Sequence, residues 1–248
     1  MKAIILAAGY ATRLYPLTEN LPKAMLPIGS RVMMDYLMDG IAAVDGLTEV
    51  HIVTNHRFAG QFEKWCEHAT VEYPGLSFKV WDDGTTSNDD RLGAVGDMQF
   101  VIDRAELNDD VLVAASDNFF TFPLPLFVDE FHKQGRDMLL AGRIDDIETL
   151  RRFAVAVMDD DGRITSLEEK PQNPKGNIGV NALDLYKKET VALIKRYLDE
   201  GNIPDSPGNF PAWLHKIGHP LGAYVFEGEC IDIGTFESYD EVCARFGK

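Results

Sequence analysis

Four short, mainly apolar runs set the frame of this chain: Ala3 to Leu6, Val50 to Thr54 with His51 and Thr54 as its polar members, Val111 to Ala115 and Met138 to Ala141. A strand that is apolar at successive positions, not at alternate ones, is covered on both faces, which is the environment of a parallel sheet between helices. The segments between the runs carry the complementary signal. Met33, Met34, Leu37, Met38 and Ile41 recur at helical spacing, and residues 58–69 and 124–133 also read as helices. The methionine-rich stripe is expected to be core packing, to which a flexible thioether is suited. Strands and helices in alternation give a parallel sheet with helices on both faces.

After about residue 150 the pattern changes. Residues 153–158 and 164–168 flank Asp159-Asp160-Asp161-Gly162, a turn-rich segment, and so read as a hairpin. Residues 177–186 read as a further strand, and 188–198 and 236–245 as helices. Pro204, Pro207, Gly208 and Pro211 mark an irregular connection. No internal repeat stands out, and one continuous unit spanning 1–248 is expected.

The charge balance is 24 − 40 = −16. So acidic a surface excludes a nucleic-acid partner or an anionic membrane, both of which need a basic footprint. It leaves room for a phosphate substrate, because a few local Lys and Arg side chains can make a positive pocket. Cys66, Cys230 and Cys243 form no Cys-x-x-Cys pair and no zinc spacing, so free thiols in a reducing compartment are expected. Gly9 and Arg13 interrupt the apolar start before it could serve as a signal peptide, and no stretch approaches the ~20 apolar residues of a membrane helix. The expectation is a soluble, cytoplasmic protein.

The first apolar run leads directly into Ala7-Ala8-Gly9-Tyr10-Ala11-Thr12-Arg13-Leu14-Tyr15-Pro16-Leu17-Thr18, and Pro22-Lys23 follows. A turn of small residues lets backbone N–H groups approach a polyphosphate, and Arg13 and Lys23 can neutralise its oxygens. The segment is neither a P-loop nor a Gly-x-Gly-x-x-Gly fingerprint. On composition alone it could equally be an ordinary strand-to-helix loop. Asp117 and Asp232 each lie beside a strand end, where a carboxylate can hold Mg²⁺ or serve only as a turn or capping residue.

Residues Leu6 to Leu26 resemble the signature of the sugar-1-phosphate nucleotidyltransferases, Leu-Ala-Ala-Gly-x-Gly-Thr-Arg-Leu-x-Pro-Leu-Thr-x-x-x-Pro-Lys, at nearly every position. Ser116-Asp117-Asn118-Phe119, Glu168-Glu169-Lys170-Pro171 and Asp232-Ile233-Gly234-Thr235 resemble further motifs of that family, in the family's order, so that the likeness runs from Met1 to about Tyr239. The resemblance implies a Rossmann-like α/β fold of the nucleotide-diphospho-sugar transferase type: a mostly parallel, mixed sheet with helices on both faces. A nucleotide-binding half would span about 1–150 and an acceptor-binding half about 151–248. The implied substrates are a nucleoside triphosphate and a sugar 1-phosphate. Leu6, Ala7, Ala8, Gly9, Thr12, Arg13 and Lys23 would bind the nucleotide, Asp117 and Asp232 the Mg²⁺, and Glu169, Lys170 and Asn181 the acceptor. Arg13, Lys23 and Lys170 would carry the charge shift of the reaction. Relatives often form dimers or tetramers, so a homo-oligomer is an expectation of the resemblance alone. The sequence stops soon after the 236–245 helix, and no β-helical extension is expected.

Three departures qualify this reading. Ala11 stands at the family's second glycine and would be strained if the backbone there needs positive φ. Ala182 replaces a glycine that lies against the sugar, and Asp184 stands where a tyrosine is common, which implies an altered acceptor preference. The segment Asp83 to Ala94 lacks the usual Gln and Gly-Leu pair. There Asn88 could read a base edge and Gly93 admit the base, or the segment could be a polar loop whose Asp89 and Asp90 begin the next helix. Thr86-Ser87-Asn88 is faintly similar to phosphocholine cytidylyltransferases, which keeps a non-sugar phosphate as an alternative acceptor. A non-catalytic nucleotide-sugar sensor is disfavoured, because Lys23 and both aspartates are present.

Overall fold

Residues 1–247 are described by a computed structural model. The chain begins with β1 (Lys2–Leu6), two single 3-10 turns, the small hairpin β2 (Pro27–Ile28) and β3 (Arg31–Val32), and α1 (Met33–Ala42). It continues through β4 (Glu49–Thr54), α2 (Ala59–Glu72), β5 (Ser77–Asp82), α3 (Ala94–Ala105), β6 (Val111–Ala115), β7 (Asn118–Phe120), α4 (Leu124–Gln134), β8 (Asp137–Arg143) and the single turn α5 (Ile147–Leu150). The second half holds β9 (Ala154–Met158), β10 (Ile164–Glu169), β11 (Ile178–Tyr186), α6 (Lys188–Val191), α7 (Leu193–Asp199), α8 (Asn209–Lys216), β12 (Leu221–Val225), β13 (Cys230–Asp232) and α9 (Phe236–Phe246).

Strands β5, β4, β1 and β6 lie side by side and parallel. β11 then runs antiparallel to β6, β8 antiparallel to β11, and β12 parallel to β8. The β9–β10 hairpin pairs with the first half of β11. The result is a mostly parallel, mixed sheet that carries helices on both faces. The apolar runs follow from this layering. Successive residues of a strand point to opposite faces, so Ala3 and Ile5 pack with Met34, Leu37 and Phe62 of α1 and α2, while Ile4 packs with Val95, Met98 and Phe210 of α3 and α8. The methionine stripe is buried along its whole length.

Three local readings change. The helix expected over 188–198 is divided at Ala192 into α6 and α7. The connection marked by prolines contains α8, because Pro211 sits in its first turn, where the missing N–H has no intrahelical partner to lose. Asp89 and Asp90 do not begin a helix. Asp90 instead accepts from the N–H groups of Thr86 and Ser87, and α3 starts at Ala94 behind Gly93, whose φ is 79°. No helix among the described residues is long and apolar enough to cross a membrane.

Candidate active site

The loop after β1 is anchored by the end of β4. Thr54 Oγ1 donates to the Ala7 carbonyl at 3.2 Å, and buried Asn55 Nδ2 donates to that of Ala8 at 2.9 Å. Thr18 Oγ1 donates to the Ala11 carbonyl at 2.8 Å. These bonds occupy carbonyls, whereas the N–H groups of Ala8, Gly9, Tyr10 and Ala11 have no acceptor among the described residues. A run of free donors is what an anionic ligand requires. Ala11 adopts φ 47°, ψ 42°, so the alanine is held in the left-handed region that a glycine would occupy freely.

The two aspartates meet through strand register. β7 and β13 pair antiparallel with Asp232 opposite Asn118, and the Ile233 N–H donates to the Asp117 carbonyl at 3.1 Å. Lys23 Nζ lies 2.9 Å from Asp117 Oδ2 and 3.6 Å from Asp232 Oδ1. One cation thus draws on both carboxylates, with the Arg13 charge also acting on Asp232. Limited hydration in this corner, followed by repulsion from Asp117, raises the Asp232 pKa above the usual carboxylate value, while Lys23 and Arg13 pull it down. Two hard oxygen donors converging on one positive point suit Mg²⁺, which completes its shell with water and phosphate oxygens.

Two cavities open on this point. One, of about 340 Å³, is lined by Leu6, Ala7, Gly9, Thr12, Arg13, Lys23 and Asn88, joined by Tyr10 and Arg91. Ala8 and Gly93 lie outside its lining; a Cβ on Gly93 would strike the Pro204 carbonyl, so that glycine serves a close approach within the chain. Asn88 accepts from Arg91 Nη1 at 3.0 Å, and Arg91 also pairs with Asp205 at 2.9 Å. The second cavity, of about 270 Å³, is lined by Glu169, Lys170, Asn181 and Ala182 together with Arg152 and Gly208. Leu6, Ala115 and Asp117 belong to both.

In the second cavity Glu169 is fixed by its neighbours. Ser206 Oγ donates to its Oε1 at 3.0 Å, and Lys170 Nζ lies 3.4 Å from the same oxygen. Lys170 has φ 45°, another left-handed non-glycine residue, and its N–H donates to the Phe153 carbonyl at 3.1 Å. The register of β11 against β8 shifts between Val180 and Asp184, so the strand bulges where Asn181 and Ala182 meet the cavity. Sequence reasoning did not find Arg152, Ser206 or Arg91. Only Arg91 had a signal, its place three residues after Asn88.

Over residues 2–247 the chain matches the nucleotidyl transferase family. It belongs to that family. Curated relatives include a glucose-1-phosphate adenylyltransferase of Thermotoga neapolitana, 29% identical over 96% of this chain and 59% of its own length. A Sulfolobus acidocaldarius protein assigned as a mannose-1-phosphate guanyltransferase is 29% identical over 96% of this chain and 61% of its own. The chain thus spans about three fifths of the curated relatives it matches. Among solved structures, a Bacillus anthracis protein assigned as a glucose-1-phosphate thymidylyltransferase superposes with a TM-score of 0.82 at 26% identity, covering 100% of this chain and 96% of that one. A UDP-glucose pyrophosphorylase with UDP-glucose shares the fold, with a TM-score of 0.80 at 19% identity over 99% of this chain and 97% of its own. This nucleotidyl transferase family member therefore has the nucleotide-diphospho-sugar transferase fold anticipated from its motifs.

Proposed function

We infer that this chain transfers a nucleotidyl group from a nucleoside triphosphate to a sugar 1-phosphate, releasing pyrophosphate. The observation that carries this reading is the shared wall at Leu6, Ala115 and Asp117, where a cavity built on free backbone donors meets one built on Glu169 and Lys170. Two substrates held in these cavities would have their reacting phosphates adjacent, and that positioning supplies much of the catalysis. The acceptor phosphate is already an anion near neutral pH and needs no general base. Its oxygen attacks the α-phosphorus in line, a new P–O bond forms, and the bond to the β-phosphate oxygen breaks so that pyrophosphate leaves.

Arg13 and Lys23 are assigned to the triphosphate and its leaving portion, and Lys170 to the acceptor phosphate. Glu169 accepts hydrogen bonds from sugar hydroxyls, and Asn181 contacts the acceptor. Leu6, Ala7, Gly9, Thr12 and Asn88 line the nucleotide side, with Ala8 offering its N–H; Gly93 is left to the neighbouring turn. Asp117 and Asp232 are the residues that would hold Mg²⁺, which when bound neutralises the polyphosphate. The protein acts as one catalytic unit across both halves and as a soluble cytoplasmic enzyme. Among the described residues Phe153 is the one aromatic ring lining the acceptor cavity, too few for an ammonium cage, which favours a sugar over phosphocholine.

The test is pyrophosphate release with Mg²⁺, crossing the common nucleoside triphosphates with sugar 1-phosphates and phosphocholine. Release that requires one triphosphate and one sugar 1-phosphate, and that EDTA abolishes, is expected. Release only with CTP and phosphocholine would replace this reading. Silence with folded, nucleotide-binding protein would overturn it.

A further inference from the structure

Asp184 is a carboxyl that the mechanism above leaves unused. It lies on β11 just past the bulge, in register with Val113 of β6 and Leu139 of β8. It is 3% exposed, and it lines the acceptor cavity together with Ala94, Ala182 and Pro211. Tyr186 Oη donates to its Oδ2 at 2.9 Å, whereas Oδ1 has no partner. A carboxyl that served only Tyr186 would need one oxygen. The second is surplus bonding capacity in a residue that lines a ligand cavity, and an unmatched buried polar atom is costly. The carboxyl torsion has broad minima, so a small turn can present either oxygen to an occupant.

The surroundings define the partner. Burial, and after it the charge of Asp137, pushes the Asp184 pKa up to about 8 against the pull of the Tyr186 hydrogen bond. The carboxyl itself offers a substrate carboxylate no positive charge. A methyl or deoxy carbon would leave the free oxygen unmatched. A hydroxyl, which can both accept and donate, would satisfy it with or without the carboxyl proton.

We propose that Asp184 is a specificity-determining residue of the acceptor site, selecting a sugar 1-phosphate that carries a hydroxyl on the substituent nearest β11. This inference rests on the sugar-1-phosphate reading. A buried group that reads a substrate hydroxyl discriminates against the analogue lacking it by ~10–100-fold or more.

The experiment measures kcat/KM for the sugar 1-phosphate that turns over and for its single-deoxy analogues. Wild-type protein should reject one deoxy analogue by ~10–100-fold. Asp184→Leu, or Asp184→Ala if the leucine variant does not fold, should bring that ratio to within about threefold, mainly through acceptor KM. Asp184→Asn leaves its oxygen to Tyr186 and only an N–H₂ for the cavity, so it should tolerate a hydroxyl partner. Tyr186→Phe is the control. If Asp184 only holds Tyr186, this variant reproduces the loss; if Asp184 contacts the acceptor, the discrimination survives. Unchanged discrimination in the leucine or alanine variant, or equal loss in Tyr186→Phe, overturns the role of Asp184 alone. Absence of any turnover by the wild-type protein overturns the function and this role together.

Discussion

Replacing Asp97 by asparagine should make the protein less sensitive to rising pH. Asp97 lies in the first turn of α3, 5% exposed, with the Asp83 carboxyl as the acidic group acting on it. Asp83 Oδ1 accepts from both the N–H and the Oγ1 of Thr85, each at 2.7 Å, which keeps Asp83 the better candidate for the charge. Asp97 has no such donors. Burial, then the Asp83 charge, pushes its pKa up to about 8. An unfolded aspartate titrates near ~3.9. Between those values the folded chain keeps a proton that the unfolded chain has released, so stability is fully present below ~4 and is lost as pH rises toward about 8. The slope for one proton is ~1.4 kcal/mol per pH unit, so the upper bound between pH 5 and 7 is about 2.7 kcal/mol. The asparagine side chain carries no proton to lose in this range. Urea unfolding of both proteins at pH 5, 6, 7 and 8 should therefore show the variant gaining on wild type by roughly 2 kcal/mol between pH 5 and 7, or a relative Tm gain of about 4–8 °C for a chain of this size. At pH 5 the variant should be about equal to wild type. A difference that is constant across the series would refute a proton held on Asp97.

Other outcomes follow from single contacts. Asp117→Asn removes one of the two carboxylates facing Lys23, and should lower kcat by about 100-fold or more in the pyrophosphate assay; near-normal activity would remove Asp117 from the metal role. Gly208→Ala would drive a Cβ into the Glu169 carboxylate. It should raise the acceptor KM by ~10-fold while the triphosphate KM stays within about twofold, and a matched rise in both would show that Glu169 is not confined to the acceptor side. Ala11→Gly relieves left-handed strain at φ 47° and should stabilise by ~0.5–1 kcal/mol after the entropy of the added glycine is set against it, a Tm gain of about 1–4 °C. A lower Tm would mean that the loop is not strained at that residue.

The readability of this chain followed the length scale of each signal. The runs of β1, β4 and β6 were legible because burial on both faces keeps them mainly apolar, with His51 and Thr54 as buried polar exceptions in β4. The helix α1 was legible because five buried residues repeat within ten. β5 was missed for the opposite reason. It is an edge strand whose residues Ser77, Lys79 and Asp82 remain exposed or half-buried, so its pattern resembles a polar loop. The start of α3 stayed open between two readings because Asp90 has the chemistry of a helix cap and uses it on a turn instead.

The candidate site divides along the same line. The loop after β1 is contiguous in sequence, so its motif could be read as a unit. The meeting of Asp117 and Asp232 is carried by β7 and β13, three residues each, too short for any periodicity to register, and the pairing came only from likeness to a family. Arg152, Ser206 and Gly208 join Glu169 through tertiary contacts, and the sequence around Ser206 and Gly208 signals only an irregular connection. Asp184 lies between these cases. The sequence marks it only as a departure from a tyrosine common in the family, and it sits in β11 between Leu183 and Leu185. What the sequence could not supply was the free Oδ1 and the cavity beside it. A charge inside a buried strand is costly enough that it needs a partner, and in this chain Tyr186 supplies that partner for only half of the group.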